Sequence, residues 1–497
     1  MNTNATSTTA VSLPPDKPSL STKLVYGSGD WGMASFGTLR QIFYAIFLVD
    51  VVGLEPRLAS FAALIGIIWD AINDPLVGML TDHVNTRWGR RRPFLLIFSI
   101  PFGLSFLLLW YAPSLESQLA LIVYVTLAFM ISDTLQTLVI VPYFALTPEI
   151  TLDYDERTSL TSYRMFFNLL ASLATAVAAP MIIDAALNAG LSAQQGYLIV
   201  AALFGGLAAI PFLLIFFVIR ERYAGEEQVM DPAPLGQTLK TAWSNIPFRY
   251  ATALYMFNWL TFDLVALMLP FFLIYWIAGG DQLASVDIFG EAIALESVVL
   301  GVLLITAVLA LPFWNWLSRR LSKRRAYIIG MSFWALVQIL IFLIHPGQIG
   351  LILVLAVLAG LSVSTAHVLP DAIFPDVIEW DELRTRHRHE GVYYGVKNFV
   401  RKLTGAFAIF FALQVLGWFD YHAPPEGATL FSQSDTTLTA IRFLTGPVGA
   451  ILLISAIVVA YFYPLTREKH ARILRLLARR KERENALDYQ PQSQHHQ

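Results

Sequence analysis

The sequence predicts an all-α membrane protein with twelve transmembrane helices. Three observations predict it: a composition too apolar for a soluble chain, repeated apolar runs of membrane-spanning length, and basic residues concentrated in alternate loops. Of the 497 residues, 56% are hydrophobic and only 14% are charged. A soluble domain needs about 25% charged residues to cover its surface. The formal net charge is −2, so the whole chain carries no basic footprint for nucleic acid. It has no cysteine, which excludes disulfides, thiolate metal sites and thiol nucleophiles.

Apolar runs long enough to cross a bilayer lie near 31–52, 59–81, 94–112, 118–147, 164–187, 196–219, 250–278, 289–317, 326–344, 348–374, 393–418 and 439–463. The loop after the second run carries Arg87, Arg90, Arg91 and Arg92, and the loop after the eighth carries Arg319, Arg320, Lys323, Arg324 and Arg325. Arg384, Arg386 and Arg388 follow the tenth, and the tail is basic from Arg467 to Arg483. The opposite loops hold little more than Arg57 and Arg442. The positive-inside rule therefore places both termini in the cytoplasm and requires an even number of spans, in agreement with twelve.

The organisation follows from these loops. Residues 1–25 form a polar, Ser/Thr/Pro-rich tail without a signal-peptide pattern, expected to be disordered and cytoplasmic. A polar middle loop at 221–249 separates a six-helix bundle at 26–220 from another at 250–463, and a basic cytoplasmic tail, 464–497, follows. TDHVNTRWGRRRP (81–93) and WLSRRLSKRRAYI (316–328) place a basic cluster after the second helix of each half. Such a repeat is expected of a carrier built from two related bundles, although positive-inside anchoring alone also produces basic loops.

Ionisable residues within spans cost about 2.5–3.5 kcal/mol each on insertion scales, so each demands a reason. In WDAINDP (69–75), Asp70 and Asp74 are four apart and share one helix face. Carboxylates so placed repel one another, and a proton or a small hard cation relieves them. Asn73 can add an amide oxygen. Arg40, Asp133, Asp263, Lys397, Arg401 and Lys402 lie inside other spans, where each either contacts substrate or forms a structural ion pair. Arg164 either snorkels to the interface or enters the cavity. His367 is an interhelix contact or a substrate ligand. Pro142, Pro148, Pro370 and Pro375 mark places for helices to break or kink. Trp69, Tyr143, Phe144, Trp259, Tyr393 and Tyr394 sit beside polar residues and could face a sugar ring.

No P-loop, dinucleotide-binding glycine pattern, G-x-S-x-G or H-E-x-x-H occurs, so neither ATP drive nor a recognisable enzyme is expected, and no cofactor beyond a coupling Na⁺ or H⁺.

YGSGDWG (26–32), LVDVVGL (48–54), WDAINDPLVGMLTDHVNTRWGRRRP (69–93), TPEITLDYDERTSLTSYRMFF (147–167) and PDVIEWDELRTRHRHEGVYYGVKNFVRKL (375–403) together resemble the glycoside–pentoside–hexuronide:cation symporters, the family of the melibiose carriers. The resemblance spans about 23 to 465. It implies the major facilitator fold, with alternating access around a central cavity. It implies that Asp70 and Asp74 bind the coupling Na⁺, Li⁺ or H⁺, with help from Thr137, and that Lys402 lies near the interface of the bundles. The sugar-contacting acids of melibiose carriers fall on Ala34 and Ile140, the adjacent tryptophan on Phe144, and the helix-V arginine on Met165, beside Arg164. A neutral galactoside is therefore not expected. Arg40, Asp133 and Asp263 are new polar groups and favour an anionic sugar such as a uronide or sulfonated sugar. YRMFF and LPDAI equally resemble animal sodium-dependent lysophospholipid carriers.

The resulting expectation is cation-coupled symport of a sugar or glycoside across a cell inner membrane by a monomer surrounded by lipid. A lysophospholipid-type carrier is the alternative, and a non-transporting sensor a further one. Substrate contacts are expected from Arg40, Asp133, Tyr143, Phe144, Arg164, Trp259, Asp263, His367, Tyr394, Lys397 and Lys402. A cytoplasmic gate is expected from Arg87, Arg90, Arg91, Arg92, Arg320 and Arg324, paired with Asp82, Asp153, Asp155 and Glu156.

Overall fold

The computed structural model describes residues 17–84, 86–151, 153–221, 243–386, 390–425 and 427–488. Twelve of its segments are helical, long and apolar enough to cross a membrane. In chain order the helices are α1 (Leu20–Ile46), α2 (Pro56–His83), α3 (Arg92–Leu109), α4 (Gln118–Ile150), α5 (Tyr154–Asn188), α6 (Ala193–Val218) and α7 (Ile246–Phe271). They continue as α8 (Leu295–Leu321), α9 (Lys323–Phe342), α10 (Ile349–Thr385), α11 (Glu390–Trp418), α12 (Asp435–Thr445), α13 (Pro447–Phe462) and α14 (Arg467–Asp488). The twelfth span is α12 and α13 together, parted at Gly446, where a Cβ would lie 2.9 Å from the Gln338 carbonyl.

Several boundaries differ from the sequence expectation. The first helix begins at Leu20, inside the segment expected to be tail, because the Ser19 hydroxyl accepts from the Thr22 N–H at 3.2 Å and caps it. Helices α4 and α10 run on through Pro142, Pro148, Pro370 and Pro375 without breaking. An interior proline forfeits one helical hydrogen bond, and the remaining turns carry the helix past it. The eighth span starts at Leu295, later than expected, because a two-stranded hairpin precedes it: β1 (Ser285–Ile288) pairs antiparallel with β2 (Glu291–Ala294). Its turn residues, Phe289 and Gly290, both have positive φ, as a tight hairpin requires.

Packing repeats with a period of six helices. In the first half α1 packs on α5 and α6, α3 on α4 and α6, and α2 on α4. In the second half α7 packs on α11 and α13, α9 on α10 and α13, and α8 on α10. The halves meet through α1 with α7, α2 with α11, and α5 with α8. Helices α1 and α7 also end alike, in π-helical turns at Phe47–Val51 and Phe272–Ile277. The faint sequence repeat thus has a structural counterpart.

Twelve crossings put both chain ends on one face, here the terminus face, opposite the far face. Hydrogen bonds and ion pairs join the halves at mid-membrane and at the far face. At the far face Asp50 accepts from Tyr275 Oη at 2.6 Å and from Tyr421 Oη. Arg57 donates to the Gly417 carbonyl at 3.1 Å, Gln414 to Ser60 at 2.8 Å, and Ser297 to the Val177 carbonyl at 2.7 Å. The structure is therefore sealed on the far face.

Close backbone approach within a half is carried by glycine. A Cβ on Gly205 would lie 2.3 Å from the Gly103 carbonyl where α6 crosses α3, whereas one on Gly206 meets nothing within 4 Å. Gly205→Ala is expected to lower stability in detergent by about 1–3 kcal/mol through overpacking. Gly206→Ala should be neutral, and equal melting temperatures for the two variants would refute the close-contact reading.

Candidate coupling site and the central charge network

Asp70 and Asp74 do share a face of α2, and that face meets α11. Lys402 Nζ lies 2.8 Å from Asp70 Oδ2 and is also bonded to Asp74. The Thr137 hydroxyl of α4 sits 3.2 Å from Asp74 Oδ1 and 3.0 Å from the Asp133 carbonyl. Asn73 is buried on the same helix, and its amide nitrogen has no hydrogen-bond partner among the described residues. Trp69 is held by donation to Thr134 at 2.9 Å. The donors are thus carboxylate, hydroxyl and amide oxygens, a hard set that suits Na⁺ or a proton. At present the Lys402 ammonium supplies the positive charge.

The other charges around the centre of the membrane are paired, and most of the cations also lie on aromatic rings. Arg40 is 3.3 Å from Asp133 and lies over Phe129 (4.2 Å) and Phe36 (5.2 Å). Arg401 makes a two-pronged contact with Asp263 at 2.6 and 2.9 Å and covers Trp259 at 4.0 Å. Gln41 of α1 donates to the same carboxylate at 2.6 Å, joining the halves. Lys397 pairs with Asp371 and faces Tyr255, Phe374 and Tyr394, the last an exposed side chain. Arg164 is 3.2 Å from Asp30 and lies over Phe144 at 4.3 Å. His367 bonds its own helix at the Val363 carbonyl, 3.2 Å away, with its ring against Phe262 and Trp259. Tyr143 of α4 is fully buried against α1, where its hydroxyl donates to the Tyr26 carbonyl at 2.8 Å, so it offers no open face.

Six carboxylates (Asp30, Asp70, Asp74, Asp133, Asp263 and Asp371) thus meet five cations (Arg40, Arg164, Lys397, Arg401 and Lys402). The network lacks one positive charge, and the shortfall falls at Asp70 and Asp74, which share a single lysine. A chain of paired charges that is one cation short attracts one cation in low dielectric.

The expected gate residues sit at the terminus face but pair differently. Arg90 and Arg91 reach Glu149, at 3.0 and 3.5 Å, and the backbone N–H groups of Arg90, Arg91 and Arg92 donate to Glu221 at 2.6–2.9 Å. Burial pushes the Glu149 carboxyl above its ordinary range, and the Arg90 hydrogen bond opposes that shift. Arg92 donates to the Phe216 carbonyl, Arg87 lies over Trp88, Arg320 over Trp316, and Arg324 donates to the Tyr461 and Tyr463 carbonyls. Of the expected acids, Glu156 holds Lys23 at 2.6 Å and Asp153 caps α5. The side chains of Asp82 and Asp155 lie outside the described residues. Asp30, Gln41, Asp371, Glu149 and Glu221 were missed as site residues. Asp30 and Asp371 sat in the quoted motifs YGSGDWG and LPDAI, but nothing in their spacing named their partners.

At the far face, Asp50 binds tyrosines of the second half. Tyr275→Phe combined with Tyr421→Phe removes both donors and is expected to populate a far-face-open state. The chain is free of cysteine, so spin labels on Leu191→Cys and Phe289→Cys report the separation directly. A longer label-to-label distance is expected, and an unchanged distribution would show that the tyrosines do not hold the seal.

Two six-helix halves joined around a charge network define a multi-pass membrane transporter of the major facilitator fold. The chain belongs to the family described as MFS/sugar transport protein, which it matches over residues 25–467. It is 30% identical to an uncharacterized symporter of Synechocystis sp., over 95% of this chain and 99% of that one. It is 27% identical to the sodium-dependent lysophosphatidylcholine symporter 1 of Gallus gallus, over 91% and 88% of the two chains. It is also 27% identical to a sphingosine-1-phosphate transporter of Xenopus tropicalis, over 95% and 91%. Among solved structures it superposes on the nucleoside transporter NupG with a TM-score of 0.59 at 11% identity, covering 90% of this chain and 100% of that one. Relatives and fold alike are those of transporters, not of enzymes.

Proposed function

We propose that the protein is a cation-coupled symporter, of the glycoside–pentoside–hexuronide:cation kind in its coupling site, with both termini in the cytoplasm. The sealed far face is then the outer one, and the conformation faces inward. The observation that carries this reading is the Asp70–Asp74 pair bridged by Lys402. With the carrier open outward, Na⁺ or H⁺ takes the place of the ammonium at the two aspartates. Lys402 is then released toward the substrate, and its freed ammonium favours binding of a negatively charged group. Substrate favours the cation equally, because binding linkage is reciprocal. Inward opening lets Lys402 return and expel the ion.

For the substrate we favour an amphipathic molecule with an anionic or zwitterionic head, of the lysophospholipid class. The positions where the family resemblance expects sugar-binding acids are Ala34, which is buried, and Ile140, and the exposed Phe144 lies under Arg164. The two positions offer no hydrogen-bonding group to a neutral sugar, and the exposed Phe144 under Arg164 suits an acyl chain beside an anionic head. Relatives described as lysophosphatidylcholine symporters align over most of the chain. An anionic sugar is the second reading, supported by the description of the family itself. The test is uptake into proteoliposomes of a lysophosphatidylcholine, a glucuronide and a neutral glycoside, with Na⁺ and pH gradients imposed separately. Gradient-dependent uptake of the lysolipid alone is expected. Uptake of the glucuronide alone would move the assignment to the second reading, and uptake indifferent to both gradients would remove cation coupling.

A further inference from the structure

The far face holds a second polar centre, which the coupling site does not use. A cavity of about 700 Å³ lies there between the two halves. Three carboxylates line it: Asp50 at the end of α1, Asp184 on α5 and Glu296 in the first turn of α8. No lysine, arginine or histidine lines it. Asp50 is satisfied by the hydroxyls of Tyr275 and Tyr421. Glu296, only 7% exposed, accepts from its own backbone N–H, and no other described side chain gives it a hydrogen bond or an ion pair. Asp184 is likewise without a hydrogen-bonded or ion-paired partner among the described residues.

A carboxylate held in low dielectric without a counter-charge is costly, and a second one nearby adds repulsion. Asp184 belongs to the first half and Glu296 to the second, so closing the far face brings them into one cavity. A guest of positive charge removes that cost. Size and spacing select among cations. The one described acid-containing group close enough to grip a bare metal ion is Asp376, Glu379 and His470, elsewhere in the chain. The vestibule carboxylates do not converge in that way, and a bare ion would leave most of the volume empty. Ile183, Leu187, Leu191 and Ile274 add apolar side chains to the lining, which suit the alkyl groups of an alkylammonium better than a hydrated metal ion.

We propose that this vestibule binds a small organic cation, an alkylammonium held between Asp184 and Glu296. Because the two acids come from opposite halves, such a guest bridges them and stabilises the closed far face. The proposal is independent of which substrate passes through the centre. It is tested by calorimetric titration of the full-length protein in lipid nanodiscs with tetramethylammonium chloride at fixed ionic strength. Saturable binding is expected, weakened about tenfold or more by Glu296→Gln and by Asp184→Asn, each an isosteric change, and unaltered by Asp74→Asn at the central site. Absence of binding, binding that survives both vestibule variants, or binding lost in Asp74→Asn instead would overturn the proposal. Equal competition by NaCl at the same concentration would also overturn it and assign the carboxylates to an inorganic cation.

Discussion

Asp74→Asn is expected to abolish cation-driven accumulation in proteoliposomes. In the wild-type protein Asp70 and Asp74 share one ammonium, so the pair carries one uncompensated negative charge. The variant removes that charge. Lys402 and Asp70 are then a neutral couple, and no electrostatic demand for a cation remains. Losing one charge-assisted contact is worth about 1.5–3 kcal/mol, roughly 10- to 150-fold in apparent ion affinity. Lys402→Gln should act in the opposite sense. With its internal cation gone, the pair carries two negative charges and holds an external cation more tightly, so apparent affinity rises while inward release and turnover slow. The readout is initial uptake rate against cation concentration for each variant. Undiminished concentrative uptake by Asp74→Asn would sink the coupling assignment. Weaker ion binding in Lys402→Gln would remove the displacement step and leave the lysine a structural role.

Asp263→Ala is expected to be the most destabilising single substitution in the network. Asp263 is nearly buried and takes two hydrogen bonds from Arg401 and one from Gln41. Removing it strands a guanidinium at mid-membrane, which costs about 3–5 kcal/mol when one partner of a buried pair is deleted. Removing both partners strands nothing, so Asp263→Ala with Arg401→Ala should recover most of the loss. Thermal melting in detergent measures both effects. Melting of the single variant at the wild-type temperature would show that the pair is not needed for folding. Transport by the stable double variant then separates two roles: full activity means a structural pair, and a folded but inactive carrier means that the pair meets substrate. The same comparison applies to Arg40 and Asp133, where one carboxylate oxygen of Asp133 is already buried without a partner.

Local spacing carried the aspartate pair. Four residues apart on a helix is a local relation, so Asp70 and Asp74 could be placed on one face from the sequence. Lys402 lies far along the chain on another helix; its place inside a span marked it as a charge needing a reason, and the family resemblance set it near the interface of the bundles, but neither named its partners. The same limit explains the gate. The arginines at 90–92 and 320–324 stand out as clusters, but Glu149 and Glu221 look like any other acids until α3, α4 and α6 are packed together. Aromatic positions were misleading for a related reason. Tyr143 sits beside polar neighbours in the chain yet is fully buried against α1, because which face of a long apolar helix meets its neighbours is decided by packing. The prolines did not break their helices, since a single missing N–H is a local loss that a long packed helix absorbs.

The sequence by itself determined the number of spans and the four-residue spacing that sets Asp70 and Asp74 on one helix face. Hydropathy, loop charge and helical spacing are properties of neighbouring residues, and the bilayer enforces them directly. Only the tertiary structure decided who neutralises whom: Lys402 with Asp70 and Asp74, Arg401 with Asp263, Lys397 with Asp371. It also decided that the seal lies at Asp50, Tyr275 and Tyr421, and that Asp184 and Glu296 share a cavity without a counter-charge. Ion pairing acts over a few ångströms in space, whatever the separation along the chain. Those partners therefore came together only once α1, α2, α5, α7, α8, α10 and α11 were packed.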